Sequence, residues 1–216
     1  MPQTNQPVRY FDEAVIQVPT WRKTLASRAA FPLLSLLSRE QSARLGLVPI
    51  DDERVIMALT HAKGRVLDIG CGANNFVRSY GNGVGVDVMR WEGCDVQIED
   101  AAKLPFPDGS FDTVTYLACL NHIPNREASV ADASRVLRPG GRILVTMITP
   151  RLGTFIHWLR RKNDPDHFER HIEHADELLG MSEALVRQIL SDAGFERCTR
   201  KRFVMGFNSL YVAYKP

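Results

Sequence analysis

The sequence lacks any apolar run long enough to cross a bilayer as a helix, which takes about 20 residues. It also lacks paired CxxC cysteines, and its N-terminus lacks the charged-then-apolar pattern of a secretory signal. The sequence therefore predicts a cytoplasmic protein whose four cysteines stay reduced. No strong charge of either sign is present, because 27 basic residues face 25 acidic ones. This balance does not demand a nucleic-acid partner.

At 216 residues the chain can bury one substantial core. Runs rich in β-branched residues predict strands at 65–70, 83–88, 94–99, 111–118 and 141–148, and helical segments alternate with them. Two closely spaced final strands, 202–207 and 209–215, must form a hairpin because a parallel return needs a longer crossover. The pattern predicts an α/β fold with a Rossmann-like, doubly wound, seven-stranded sheet, mostly parallel with an antiparallel C-terminal strand.

The turn after the first strand reads "LDIGCGANN", from Leu67 to Asn75. Gly70 and Gly72 allow a tight turn and a close approach of a ligand to the backbone, and Asn74 or Asn75 could cap the next helix. The GxGxxG pattern of nicotinamide dinucleotide sites is incomplete, because its last position is Asn75. A dehydrogenase is therefore disfavoured.

Acidic residues follow the next two strands. Asp87 ends the second strand, where a carboxylate can accept hydrogen bonds from ribose hydroxyls, and Asp100 stands beyond the third. In an open α/β sheet the ligand lies beyond the carboxyl ends of the strands. The sequence therefore predicts a nucleoside-type ligand at this edge.

Taken together, "VLDIGCG", "GVDV", "EDAAKLPFPDGSFDTV", "LNHI" and "RVLRPGGRILVT" resemble the class I S-adenosylmethionine-dependent methyltransferases. The resemblance is to the small-molecule type that includes ubiquinone and menaquinone biosynthesis methyltransferases, and it covers about residues 50–148. It implies S-adenosylmethionine as cofactor and S-adenosylhomocysteine as product. Carried over, the resemblance implies that Asp68, Gly70 and Gly72 line the methionine part of the cofactor and that Asp87 holds its ribose. It also implies that Asp100 and Ala101 contact the adenine and that Leu117 flanks the sulfonium. Val88 is a further candidate for cofactor binding. Met89 and Trp91 are candidate neighbours of the adenine, with a role in the core alone as the alternative.

Two departures from the family pattern stand out. The usual third glycine is Asn74, although asparagine tolerates left-handed backbone geometry better than most residues. Twelve residues separate Asp87 from Asp100, so the helix that normally joins strands two and three is predicted to be missing. The sheet face left open needs a cover, and an amphipathic helical cap within 21–47 is the predicted one. Peripheral membrane contact by 21–47 is the less favoured alternative.

The predicted organisation has four parts. These are an N-terminal helical cap (1–47), the S-adenosylmethionine-binding core (48–148), a lid-like insertion (149–181), and a C-terminal helix and hairpin that complete the core (182–216). The insertion lies where the methyl acceptor must approach.

Histidine candidates for a general base are His122, in "LNHI", and His171, in "DPDHFERHIEHADE". His167, His171 and His174 share one stripe of a predicted helix, with the acids on its other side. A metal site is not predicted, because His167 and His174 lie about 10 Å apart along the axis. A lid edge facing the acceptor and a solvated stripe remain alternatives.

The predicted function is methyl transfer to an unidentified, small-molecule acceptor. The chain lacks the NPPY-type loop and Pro-Cys dipeptide of familiar DNA-base methyltransferases, which makes nucleic acid a less favoured acceptor. A protein that only binds S-adenosylmethionine or its product, and a methyltransferase acting on protein or RNA, remain alternatives.

Overall fold

The computed structural model describes Gln41, residues 50–150, Leu178 and residues 180–216. Four α-helices and seven strands lie within these ranges. In chain order they are α1 (Ile50–His61), β1 (Val66–Ile69), α2 (Asn75–Tyr80), β2 (Gly83–Asp87), β3 (Val96–Gln97), β4 (Phe111–Leu117), α3 (Arg126–Val136), β5 (Leu137–Ile148), α4 (Glu183–Asp192), β6 (Glu196–Phe203) and β7 (Asn208–Tyr214). Short 3-10 turns lie at Leu120–His122 and Val204–Gly206.

The seven strands form one sheet in the order β3-β2-β1-β4-β5-β7-β6. The pairs from β3 to β5 are parallel, while β7 runs antiparallel to both β5 and β6. The predicted mostly parallel α/β sheet with an antiparallel C-terminal strand is confirmed. That strand lies inside the sheet, because β6 occupies the edge beyond it.

Helices cover both faces of the sheet, as alternating strands and helices require. On one face Val55 and Ala58 of α1 and Phe76 of α2 pack against Val66 and Leu144. The opposite face belongs to α3 and α4, whose core side chains are Val130, Ala133, Val186 and Ile189. Since α1 and α2 share a face, the start of α1 is held close to the turn between β1 and α2.

No helix joins β2 and β3, which confirms the prediction from the short gap. The Asn74 side chain donates to Gly93 O (3.0 Å) and to Asp95 Oδ2 (2.9 Å), and the same Asp95 oxygen accepts from Gly85 N (2.7 Å). A Cβ on Gly85 would overlap the Asn74 amide. Asn74 and Asp95 thus fasten the short loop against β2, where the missing helix would otherwise lie.

Three local predictions are wrong. Asn74 precedes α2 but does not cap it with its side chain, because the Nδ2 hydrogen bonds to Gly93 and Asp95 hold the amide in an orientation in which Oδ1 accepts from no N–H of the helix. The third strand is confined to Val96–Gln97, since the Asp95 carboxylate takes the Gly85 amide that a longer ladder would use. The segment after Phe203 is a 3-10 turn rather than strand, with Val204 at φ 48°, and β6 starts earlier, at Glu196.

No described helix has the length and apolar character needed to cross a bilayer. The predicted cap (1–47) and most of the predicted insertion (149–181) lie outside the described residues, as do the histidine stripe and His171.

Candidate functional site

A cavity of about 270 Å³ opens at the carboxyl ends of β1 and β4. Four elements supply its walls: the start of α1, the turn from β1 into α2, the loop after β2 and the end of β4. The lining residues are Asp51, Arg54, Val55, Asp68, Gly70, Cys71, Gly72, Ala73, Asn75, Phe76, Trp91, Leu117 and Ala118. Of the predicted site residues, the cavity brings together Asp68, Gly70, Gly72 and Leu117.

The glycine turn forms the floor of the cavity. Gly70 has φ 72°, and a Cβ there would lie 2.7 Å from the Cβ of Cys119, so no other residue fits without displacing the chain after β4. Gly72 has φ 51°, and a Cβ there would meet no atom within 4 Å. The first glycine is therefore required by packing, while the second leaves open space above the backbone.

Asp68 is the most perturbed acid of the site. The residue is 2% exposed, and its Oδ1 accepts a hydrogen bond from Thr115 Oγ1 at 2.5 Å. The pKa of Asp68 is raised to about 7, chiefly by burial and also by the nearby Asp87 carboxylate, against the lowering effect of the Thr115 hydroxyl. Asp68 is poised to become ionised when a cation enters the cavity.

Asp87 supports the glycine turn from behind. Its Oδ2 accepts from Gly72 N and its Oδ1 from Met89 N, each at 2.9 Å. The ribose contact stays a prediction, as do the roles of Val88, which is 48% exposed, and Met89.

Asp100 and Ala101 lie after β3 and are not among the residues that line the cavity. Asp100 Oδ1 accepts from Asn125 Nδ2 and from Ala102 N, each at 2.9 Å. The Asn125 and Ala102 hydrogen bonds hold the pKa of Asp100 below its usual range. Ala101 is buried against the core that faces α3. The predicted adenine contact of these two residues is not tested by this geometry.

The end of β4 forms the opposite wall. Leu117 lines the cavity as predicted, and Ala118 follows it with φ 59°, a left-handed conformation that costs a non-glycine residue roughly 1–2 kcal/mol. The Cys119 thiol then donates to Ile69 O at 2.8 Å, which ties this wall to the glycine turn. The hydrogen bond of Cys119, the next residue, thus helps to hold the strained backbone at Ala118 in place.

His122 lies in the 3-10 turn Leu120–His122, and its backbone N–H donates to Cys119 O at 2.9 Å. The residue is half-buried and is not among those that line the cavity. Its role as a base stays a prediction.

Sequence reasoning missed the contribution of α1. Asp51, Arg54 and Val55 reach the cavity from a helix that precedes the first strand, so no motif of the sheet edge points to them. The one available signal was the i, i+3 spacing of Asp51 and Arg54, which form an ion pair at 2.7 Å. Trp91, which the sequence pattern placed near the adenine, does line the cavity.

These residues fit the amino-acid end of S-adenosylmethionine. The open space above Gly72 admits a ligand against bare backbone, Asp68 can accept from an ammonium group, and Leu117 with Ala118 offers an apolar wall beside the turn. Asp68, Gly70, Gly72 and Leu117 are therefore suited to hold the cofactor.

A comparison with protein families identifies a methyltransferase domain at residues 67–145. Curated relatives include "Ubiquinone/menaquinone biosynthesis C-methyltransferase UbiE" of Ectopseudomonas mendocina, 29% identical over 70% of this chain and 73% of the relative. The protein of the same name from Shewanella pealeana is 29% identical over 54% of this chain and 51% of its own length. "Probable tRNA methyltransferase 9B" of Bos taurus is 28% identical over 60% of this chain, but the match spans only 28% of that protein.

Solved structures share the fold. An S-adenosylmethionine-dependent methyltransferase of Thermotoga maritima, described as a possible histamine N-methyltransferase, superposes with a TM-score of 0.61 at 16% identity, over 91% of this chain and all of the other. A phosphoethanolamine N-methyltransferase of Haemonchus contortus, solved with S-adenosylhomocysteine, has a TM-score of 0.54 at 16% identity over 76% of this chain and 53% of the other. At these identities the likeness concerns the fold alone.

Proposed function

The chain carries a class I S-adenosylmethionine-dependent methyltransferase domain, and from this premise we propose that it methylates a small organic acceptor. The observation that carries the proposal is the cavity at the carboxyl ends of β1 and β4, where the open glycine turn meets the buried carboxyl group of Asp68. An enzyme of this type needs a cofactor pocket at this edge of the sheet.

When bound, S-adenosylmethionine supplies a methyl group already activated by its sulfonium. It would donate that methyl group to a nucleophilic acceptor atom, and its sulfur would retain the bonding pair as a neutral thioether. The protein contributes proximity, orientation and exclusion of water. Asp68 and the glycine turn would fix the amino-acid end, and Leu117 and Ala118 would exclude water beside the reacting carbon. His122 and His171 are the proposed bases for a hydroxyl or amine acceptor.

The preference for a small acceptor rests on how much of each relative's length this chain matches. The quinone-biosynthesis relative from Ectopseudomonas mendocina matches across 70% of this chain and 73% of its own length. The tRNA methyltransferase relative shares only the part of its length that corresponds to this domain, 28%. The near-balance of basic and acidic residues also offers no strong attraction for a polyanion.

Calorimetry with S-adenosylhomocysteine tests cofactor binding first. The Gly72→Asn variant is designed to block this binding without straining the turn. Asparagine tolerates a positive φ, and its side chain would enter the open space above the turn. We expect binding by the wild type and at least tenfold weaker binding by this variant, the effect of losing one good contact to a charged or closely packed group.

Methyl transfer is tested with S-adenosylmethionine labelled in its methyl group, added with the protein to a cell extract. Label in the small-molecule fraction supports the proposal. Label only in RNA or protein would contradict the small acceptor, and binding of S-adenosylhomocysteine without any transfer would contradict the activity.

A methyltransferase acting on RNA is the second candidate, and the tRNA methyltransferase relative favours it. The same fractionation separates the two, because ribonuclease treatment would release that label.

A further inference from the structure

The amino-acid end of S-adenosylmethionine carries two opposite charges, an α-ammonium and an α-carboxylate. Both lose water on entering a cavity, and a charge that finds no partner there is costly. Three charged side chains line the described cavity, Asp51, Arg54 and Asp68. Only Arg54 among them can pair with a carboxylate.

We propose that Arg54 binds the α-carboxylate of S-adenosylmethionine while Asp68 binds the α-ammonium. The inference rests on the proposed function, since it names the partner of one ligand group at the same site. It assigns a specificity-determining role to α1, an element outside the motifs that mark the sheet edge.

Hydrogen-bonding capacity at Arg54 supports the assignment. Its Nε is buried, and within the described part of the chain it meets no hydrogen-bond partner. Its side chain is 19% exposed as a whole. A buried guanidinium donor left without an acceptor destabilises the protein, and a ligand carboxylate would remove this penalty by accepting from it. A carboxylate matches the forked geometry of a guanidinium and can take two of its N–H groups.

The ion pair with Asp51 does not prevent this. Asp51 bonds to Arg54 through one terminal nitrogen at 2.7 Å and is 76% exposed. Ion pairs whose carboxylate is this exposed stabilise a protein little, so the guanidinium can keep or exchange this partner at little cost. The pair instead limits the rotamers of Arg54 before the ligand arrives.

Packing holds Arg54 in place over the turn. Its neighbour Val55 is buried in the cluster that contains Phe76 of α2 and Val66 of β1. The backbone that carries Arg54 is therefore fixed relative to Asp68, which follows Val66 by two residues.

The test compares S-adenosylmethionine with decarboxylated S-adenosylmethionine, which lacks only the α-carboxylate. Their dissociation constants are measured by calorimetry with the full chain, for the wild type and for Arg54→Gln, Arg54→Lys and Arg138→Gln. The last is the control, because Arg138 pairs with Asp112 at 2.7 Å and does not line the cavity.

We expect the wild type to prefer S-adenosylmethionine by about tenfold or more, as a hydrogen-bonded charge pair predicts. Arg54→Gln should abolish most of this preference while changing the affinity for the decarboxylated ligand by less than about threefold, a change below 1 kcal/mol. Arg54→Lys should keep part of the preference, because lysine retains the charge without the fork. Arg138→Gln should match the wild type.

Failure of this inference differs from failure of the proposed function. A wild type that binds neither ligand would refute the proposed function. A wild type that binds both ligands equally would overturn the role of Arg54, and this comparison requires no variant to fold. An unchanged preference in Arg54→Gln, with a wild-type circular dichroism spectrum, would overturn it as well.

Discussion

Replacing Asp68 by asparagine should make the ligand-free protein more stable at neutral and alkaline pH. Burial raises the pKa of Asp68 from its ordinary value of 3.8 to about 7. Each pKa unit corresponds to about 1.36 kcal/mol, so ionising Asp68 in the folded chain costs about 4 kcal/mol more than in the unfolded chain. Asparagine removes this cost, because it carries no charge at any pH.

The sign follows from proton binding. Between pH 4 and 7 the folded chain holds the Asp68 proton more tightly than the unfolded chain does. The contribution of protonated Asp68 to the free energy of unfolding is therefore fully present below about pH 4 and is lost as the pH rises to about 7. The free energy of unfolding of the wild type should therefore fall, relative to Asp68→Asn, by about 4 kcal/mol across this range. Above pH 7 the difference should stay constant.

Urea unfolding at intervals from pH 4 to 8, with equal m-values, measures this difference. The change with pH is the informative quantity, since the asparagine amide brings a constant term of its own. Thr115→Val offers an independent check, because it removes the hydroxyl that lowers the pKa of Asp68 and should extend the loss of stability to higher pH. A difference between wild type and Asp68→Asn that does not vary with pH would refute the reasoning. So would a difference that grows in favour of the wild type.

Two further predictions concern the backbone around the site. Gly85→Ala should lower the free energy of unfolding by about 2–4 kcal/mol in denaturant titration, because its Cβ would displace the Asn74 amide and with it two hydrogen bonds; a change below 0.5 kcal/mol would contradict the tight packing. Ala118→Gly should raise it by about 0.5–1 kcal/mol, since glycine adopts the positive φ without strain; a loss of stability would show that the left-handed conformation is not strained.

Local patterns were sufficient for most of the sheet. The runs around β1, β2, β4 and β5 are short and rich in β-branched residues, which predicts buried strands wherever they pair. The count of residues between Asp87 and Asp100 likewise settled that no helix fits there. Chain length and residue type decide these features without reference to distant contacts.

Distant contacts decided what the sequence did not reveal. Asn74 has the residue type of a helix cap, yet its amide bonds to Asp95, 21 positions away. The perturbed pKa of Asp68 arises from burial once the sheet and its helices assemble, and Arg54 reaches the site because α1 packs beside α2. Such pairings depend on the assembled fold and leave no local pattern.

The two borders of the sheet bear on how readily the protein could add a strand from another copy of itself. Unpaired strand borders can recruit a strand from another molecule and so begin aggregation. Among the described residues one border is β3, which at two residues is too short to template a new partner. The other, β6, carries Arg197, Arg200, Lys201 and Arg202, and a second copy approaching it would meet like charge. Because no helix lies between β2 and β3, the short β3 forms this border of the sheet, and its length resists strand addition.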